Sequence, residues 1–363
     1  MDKIKVGLIG YGYIGKIHSI GYLNIPLVLQ DPQVKIEMTK VIRRKNSLGE
    51  DSCWLARGDD IDELTNEDIN LVDICTPNDL HMPQIEILAK KGINIYCEKP
   101  LGLNYQQCAK MADIVGLEGI INQVALVYRF MPALAKARGF LLENKLGDVI
   151  NFRAHLLHGS YLNPRRPITW RLQKNRSGGG ALIDLGIHLA DCIRFLLGEV
   201  RNVKAETKTI FDTRPNDNGE ETLVDVDDWG LINLEMMNGA KGTMEVSKVS
   251  INPLEAFNIE IYGTKGFIKV TDKGFYEPNI YLFNENNVLE KVTIEKLDPY
   301  SQYLSTIIPS PKMSLGNMVD MHLASQMNVL NNIINGRVMF RETPTFEEAS
   351  KSQKIVDIAY LSN

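Results

Sequence analysis

The chain has 363 residues, 44% of them hydrophobic and 23% charged, with a formal net charge of -5. That length favours two domains, each able to bury its own core, and the mild charge argues against nucleic acid or an anionic membrane as the main partner. No apolar run reaches the roughly 18 to 20 residues needed to span a bilayer, and Met1-Asp2-Lys3-Ile4-Lys5 leads into a strand rather than a signal peptide, so a cytoplasmic protein acting on a small molecule is expected.

The first third alternates short apolar runs, 4–9, 35–42, 71–76, 93–97 and 120–127, with helical patterns. This βαβ rhythm predicts a doubly wound parallel α/β sheet over residues 1–123, with its ligand at the carboxyl ends of the strands. Beyond that point, longer strand-like stretches (149–157, 231–235, 241–249, 257–262, 266–271) and one strong helix, 181–197, predict an α+β domain over 124–363 built on a mostly antiparallel, open-faced sheet. Gly198 fits the C-cap of that helix, segments 212–221 and 284–287 read as surface loops, and 345–360 reads as a closing helix. Five cysteines without a CxxC pair suggest reduced thiols, not disulfides or zinc; HExxH is absent and no metal is expected.

Gly10-Tyr11-Gly12-Tyr13-Ile14-Gly15 follows the first strand directly and opens a helix, the context in which GxGxxG cradles a dinucleotide pyrophosphate. The second strand ends in Arg43-Arg44. A carboxylate there would read the ribose of NAD, whereas a guanidinium suits the 2′-phosphate of NADP, so NADP is favoured over NAD. Stacking of one arginine on adenine would leave NAD acceptable.

Four segments resemble the glucose-fructose oxidoreductase, inositol dehydrogenase and rhizopine catabolism (Gfo/Idh/MocA) family of NAD(P)-dependent oxidoreductases. They are the glycine loop with His18, Cys75-Thr76-Pro77-Asn78 with His81, Glu98-Lys99-Pro100, and Gly178-Gly179-Gly180 running through Asp184 to His188. The resemblance implies a Rossmann domain plus an open-sheet domain that often oligomerises through its sheet, here as a homodimer or homotetramer. It also implies Lys99, Asp184 and His188 as the catalytic group. Thr76, Pro77, Asn78, His81, Glu98 and Lys99, at the carboxyl ends of strands, are expected to line the cofactor.

The resemblance implies hydride transfer at a secondary alcohol or ketone of a sugar, inositol or related polyol, and the residue types suit that reaction. His188 titrates in the useful range for a general base, Lys99 can stabilise developing alkoxide charge, and Asp184 can hold an adjacent hydroxyl. Lys99 can equally be the proton acceptor. Asp184 and His188 lie four apart, so one regular helix would show them side by side, with Asp191 continuing a polar stripe. The three glycines suggest a close backbone approach to a ligand. Tyr128 and Arg129, His158, and the basic-aromatic run Tyr161, Arg165, Trp170 and Arg171 are further substrate-binding candidates, with ordinary packing as their alternative. His155 lies three before His158, and at most one of the two should face a cleft. A glycosidase that oxidises its sugar transiently and a non-catalytic dinucleotide-binding regulator are the competing functions.

Overall fold

The computed structural model describes residues 2–29, 32, 34–44 and 53–362. Its contacts divide the chain into two compact units. The first holds 1–102, 106–130 and 303–350; the second holds 103–105, 131–302 and 351–363.

In the first unit, β1 (Asp2–Ile9), β2 (Val34–Ile42), β3 (Ala56–Gly58), β4 (Leu71–Ile74), β5 (Asn94–Cys97) and β6 (Asn122–Val124) form a parallel sheet in the order β3-β2-β1-β4-β5-β6. This is the doubly wound order, with its switch point between β1 and β4, directly at the glycine loop. Val6, Leu8, Val72, Ile74, Ile95 and Cys97 are buried, as expected of strands covered on both faces. The helix Asn317–Ile334 belongs to this unit although it lies some two hundred residues downstream in the chain. The Gln326 amide donates to the His18 carbonyl (3.0 Å), and the Tyr96 hydroxyl donates to Ser325 (2.9 Å).

The second unit carries β7 (Val149–Leu157), β8 (Val200–Lys208), β9 (Thr213–Pro215), β10 (Glu221–Leu223), β11 (Trp229–Met236), β12 (Lys241–Ser247), β13 (Phe257–Gly263), β14 (Gly266–Thr271), β15 (Asn279–Phe283) and β16 (Leu289–Val292). Eight of these form one sheet, β16-β15-β14-β13-β7-β12-β11-β8, antiparallel throughout except for the parallel β7–β12 pair. Alternation along β7 puts Phe152, Ala154 and Leu156 into the core, against the helix Gly186–Leu197, and leaves Asn151, Arg153 and His155 on the other face.

Two expectations change and a third is refined. The segment 212–221 is largely exposed, as a surface loop should be, but it carries the turn of the β9–β10 hairpin and is anchored by buried Arg214, which donates to the carbonyls of Tyr161 (2.6 Å) and Asn163 (2.7 Å). The helix 181–197 is two pieces, Ala181–Asp184 and Gly186–Leu197, and the His188 amide turns to Leu185, three residues back. The second piece has no solvated polar stripe: all twelve residues are buried, and Asp191 accepts from Ser352 (3.0 Å).

Candidate functional site

In the first unit the chain leaves β1 through Gly10 at φ +94, where a Cβ would come within 2.7 Å of the Cys75 carbonyl oxygen, so glycine is required. The Gly10 amide donates to Ile42 (3.0 Å), joining the tips of β1 and β2. The helix Tyr13–Val28 then starts with no side-chain cap and no acidic residue in its first turn, among the described residues. A Cβ on Gly12 would meet nothing within 4 Å, whereas one on Gly15 would strike the Gly10 carbonyl oxygen. An uncapped, positively polarised helix start beside an open glycine therefore fits a pyrophosphate, with Tyr11, Tyr13 and Ile14 around it.

At the end of β2, Arg43 is buried with its guanidinium carbon 5.8 Å from the Tyr11 ring centroid, and its amide donates to Gly58 (3.0 Å). Arg44 is exposed. Beyond β4, the Thr76 hydroxyl donates to Gln84 (2.7 Å), Pro77 is half-buried and Asn78 is buried.

Two neighbours of this loop do other work than expected. His81 is buried, its Nε2 3.0 Å from the Thr76 carbonyl and its Nδ1 3.1 and 3.2 Å from those of Pro100 and Leu101. Burial lowers its pKa, and the ring ties two loops together instead of presenting itself to a cofactor. Glu98 is likewise buried, with one carboxylate oxygen 3.1 Å from His18 Nε2 and the other accepting the Lys99 amide (3.1 Å). Lys99 itself is half-buried just beyond β5, and the Lys99–Pro100 peptide is cis.

His18 is closed in on both sides, since its Nδ1 lies 2.8 Å from Asp73 Oδ2. Burial alone would lower its pKa, but the Asp73 carboxylate outweighs this and holds it well above the ordinary histidine value. Burial would raise Glu98, but the hydrogen bond and charge of His18 bring it down to about 2. His322, its ring 4.7 Å from that of His18, is lowered to about 3 by burial and by the His18 charge. In the sequence His18 and Glu98 stand out through the motifs that carry them, whereas Asp73 and His322, three hundred residues beyond His18, have no local signal.

Arg129, expected as a substrate candidate, is engaged inside the first unit. It is 2% exposed, donates to the Glu342 carbonyl (2.9 Å) and pairs with Glu348 (3.7 Å), so its charge serves the first unit's packing. Tyr128, beside it, is half-buried.

In the second unit, Asp184 ends the short helix Ala181–Asp184 and pairs with Lys248 (3.1 Å), whose side chain is 1% exposed. Lys248 follows β12, and its ammonium lies 5.3 Å from the Tyr161 ring centroid. The same ring also faces Arg166 (4.4 Å) and Arg214 (5.7 Å) and packs with Leu172, Val224 and Val226. Tyr161 is therefore a core residue, not an exposed sugar platform. His188 is buried at 8% exposure. His158, just past β7, is half-buried and bonds through Nδ1 to the Ser160 hydroxyl (2.7 Å); His155 faces the Glu255 carbonyl (3.0 Å). Arg165 is exposed, and Arg171 stacks 4.3 Å from the half-buried Trp170 ring.

The glycine run has an internal explanation. The Asp227 carboxylate accepts from the amides of Gly180 (3.0 Å) and Leu182 (2.8 Å) and from the Tyr360 hydroxyl (2.6 Å). A Cβ on Gly180 would collide with the Asp227 carbonyl oxygen, and one on Gly179 with the Tyr360 hydroxyl. Glycines there admit the close approach of Asp227 and Tyr360. Lys248, Asp227 and Tyr360 escaped the sequence reading because each lies forty or more residues from the helix it holds.

A doubly wound sheet with an open glycine turn and a lysine at the carboxyl end of β5 marks a dinucleotide-binding oxidoreductase. The family described as "Oxidoreductase family, NAD-binding Rossmann fold" matches residues 4–125, and the GFO/IDH/MocA C-terminal domain matches 134–269. Levoglucosan dehydrogenase of Pseudarthrobacter phenanthrenivorans is 34% identical over 289 residues, 74% of this chain and 73% of that one. Solved levoglucosan dehydrogenase superposes in its apo form with a TM-score of 0.90 at 28% identity, covering 100% of this chain and 97% of the other. Its complex with NADH and levoglucosan gives 0.88 at 27%, covering 99% and 96%. The chain belongs to the Gfo/Idh/MocA oxidoreductase family; it is an enzyme with an NAD-binding Rossmann fold.

Proposed function

We propose that this enzyme oxidises a secondary hydroxyl of a neutral sugar, anhydrosugar or related polyol, with Lys99, Asp184 and His188 as its catalytic group. The observation that carries the reading is the half-buried Asp184 carboxylate, held at 3.1 Å by the buried ammonium of Lys248. A carboxylate fixed in this way is suited to accept a hydrogen bond from a sugar hydroxyl. The similarity to levoglucosan dehydrogenase supports the substrate class.

In this reading His188 takes the hydroxyl proton, Lys99 stabilises the developing negative oxygen, and Asp184 orients the neighbouring hydroxyl. The bound nicotinamide supplies the hydride acceptor. At the end of β2 the exposed Arg44 supports NADP over NAD, a preference opposite to the NADH seen in the levoglucosan dehydrogenase complexes. Assembly into a homodimer or homotetramer through the open face of the β7–β8 sheet, whose polar residues Asn151, Arg153, Asn233 and Thr243 line a concavity of about 510 Å³, completes the proposal. A monomeric mass by light scattering would contradict that assembly.

The test is a panel of monosaccharides, 1,6-anhydrosugars, inositols and their keto derivatives, offered with NAD and NADP and followed by the absorbance of reduced nicotinamide. Turnover of a neutral sugar with a higher kcat/KM for NADP is expected. Turnover with NAD strongly preferred overturns the cofactor reading. Product formation without net reduced nicotinamide overturns the dehydrogenase in favour of a redox-assisted glycosidase.

A further inference from the structure

His18 is fully buried on the second turn of the helix that starts at the glycine loop. Its Nδ1 faces Asp73 Oδ2 and Oδ1 (2.8 and 3.0 Å), and its Nε2 faces Glu98 Oε1 (3.1 Å). Ionised carboxylates only accept hydrogen bonds, so a ring bonded to one on each side carries a proton on both nitrogens. The remaining oxygens are also spoken for. Asp73 accepts from the Tyr22 hydroxyl (2.9 Å) and from the Cys75 thiol (3.3 Å), and Glu98 Oε2 accepts from the Lys99 amide (3.1 Å). A buried cation between two anions is tolerable when such extra bonds satisfy the anions, and it becomes strongly unfavourable when one partner is removed. Tyr96, stacked at 5.5 Å, and neutral His322 complete the surroundings.

The path through these bonds is short. It runs from the glycine-loop helix, through the imidazole of His18, into Glu98, and from Glu98 into the peptide of Lys99. We propose that His18 is a positioning residue that, through Glu98, fixes the backbone of Lys99 relative to the glycine loop. The inference rests on Lys99 being catalytic. Its effect belongs in kcat, since misplacing a catalytic group by about an ångström costs up to roughly 100-fold in rate while leaving binding groups elsewhere untouched.

The two ring nitrogens can be tested separately. The amide of asparagine can stand in for Nδ1, and that of glutamine for Nε2, so H18N keeps the bond to Asp73 and drops Glu98, whereas H18Q keeps Glu98 and drops Asp73. Kinetics of both variants, thermal melting, and the same substitutions in a K99A background form the experiment. H18N is expected to lower kcat by about 10- to 100-fold with sugar KM and cofactor Kd within about threefold of the parent, and H18Q to fall much less at a similar Tm loss. In the K99A background H18N should cost nothing further. Equal losses in H18N and H18Q that track Tm, an unchanged kcat in H18N, or a full H18N effect without Lys99 would each overturn the proposal. A K99A enzyme with unchanged kcat would instead remove the catalytic reading of Lys99, and that outcome is scored separately from the comparison of H18N with H18Q.

Discussion

The two units hold their ionisable groups in different ways. In the first, His18, Asp73 and Glu98 form a closed network at the ends of β4 and β5, two adjacent strands of one parallel sheet. In the second, Asp184 sits on a four-residue helix too short to hold itself, and its position depends on Lys248 and, through the helix start, on Asp227 and Tyr360. The doubly wound topology brings strand ends together and places the first set almost without further help. The second set needs side chains from three distant segments, so its precision is a matter of tertiary packing.

That difference predicts different failures. Asp227→Ala removes an acceptor of three hydrogen bonds at a buried site and should cost about 3 kcal/mol of stability in urea unfolding. Lys248→Met, which leaves the helix start intact, should instead raise sugar KM about tenfold while cofactor KM stays the same. A D227A enzyme as stable as the parent, or a K248M enzyme with unaltered sugar KM, would break the distinction.

A smaller effect comes from pH. His322 has a folded pKa of about 3, below its unfolded value, so the native state binds fewer protons than the unfolded chain between those two values. Stability should therefore fall as the pH drops below about 6.5, at up to about 1.4 kcal/mol per pH unit. Glu98, depressed to about 2, adds a loss of the same sign below about pH 4.5. His18, raised, contributes the opposite sign: its stabilisation is present below about pH 6.5 and is lost as the pH climbs through its folded value. Urea titrations of H322N should show a flatter profile between about pH 6.5 and 4.5; coincident profiles would contradict the assignment.

The same contrast explains what could be read in advance. The glycine turn, the strand before it, the parallel order and Lys99 at the end of β5 are set by local pattern, and β7, β14 and the helix Phe346–Leu361 lie at or within a residue of their expected places. The three-residue strand β3 is too short for periodicity to register, and β8 reads as polar because one side of an open sheet faces water. The return of 303–350 to the first unit, the break at Leu185 and the packing role of Gly179 and Gly180 depend on partners far away in the chain. Arg129 and Tyr161 looked functional for their residue types and are consumed by internal contacts.

In the proposed reaction Lys99 and His188 act on one substrate oxygen. That pairing is read in kcat for K99A, H188N and the double variant, with the sugar that the panel identifies. Each single change should lower kcat by about 100-fold or more, and the double variant should be little slower than the slower single, because residues acting as a unit are not additive. Losses that multiply in the double variant, or a single variant with parental kcat, would contradict the account.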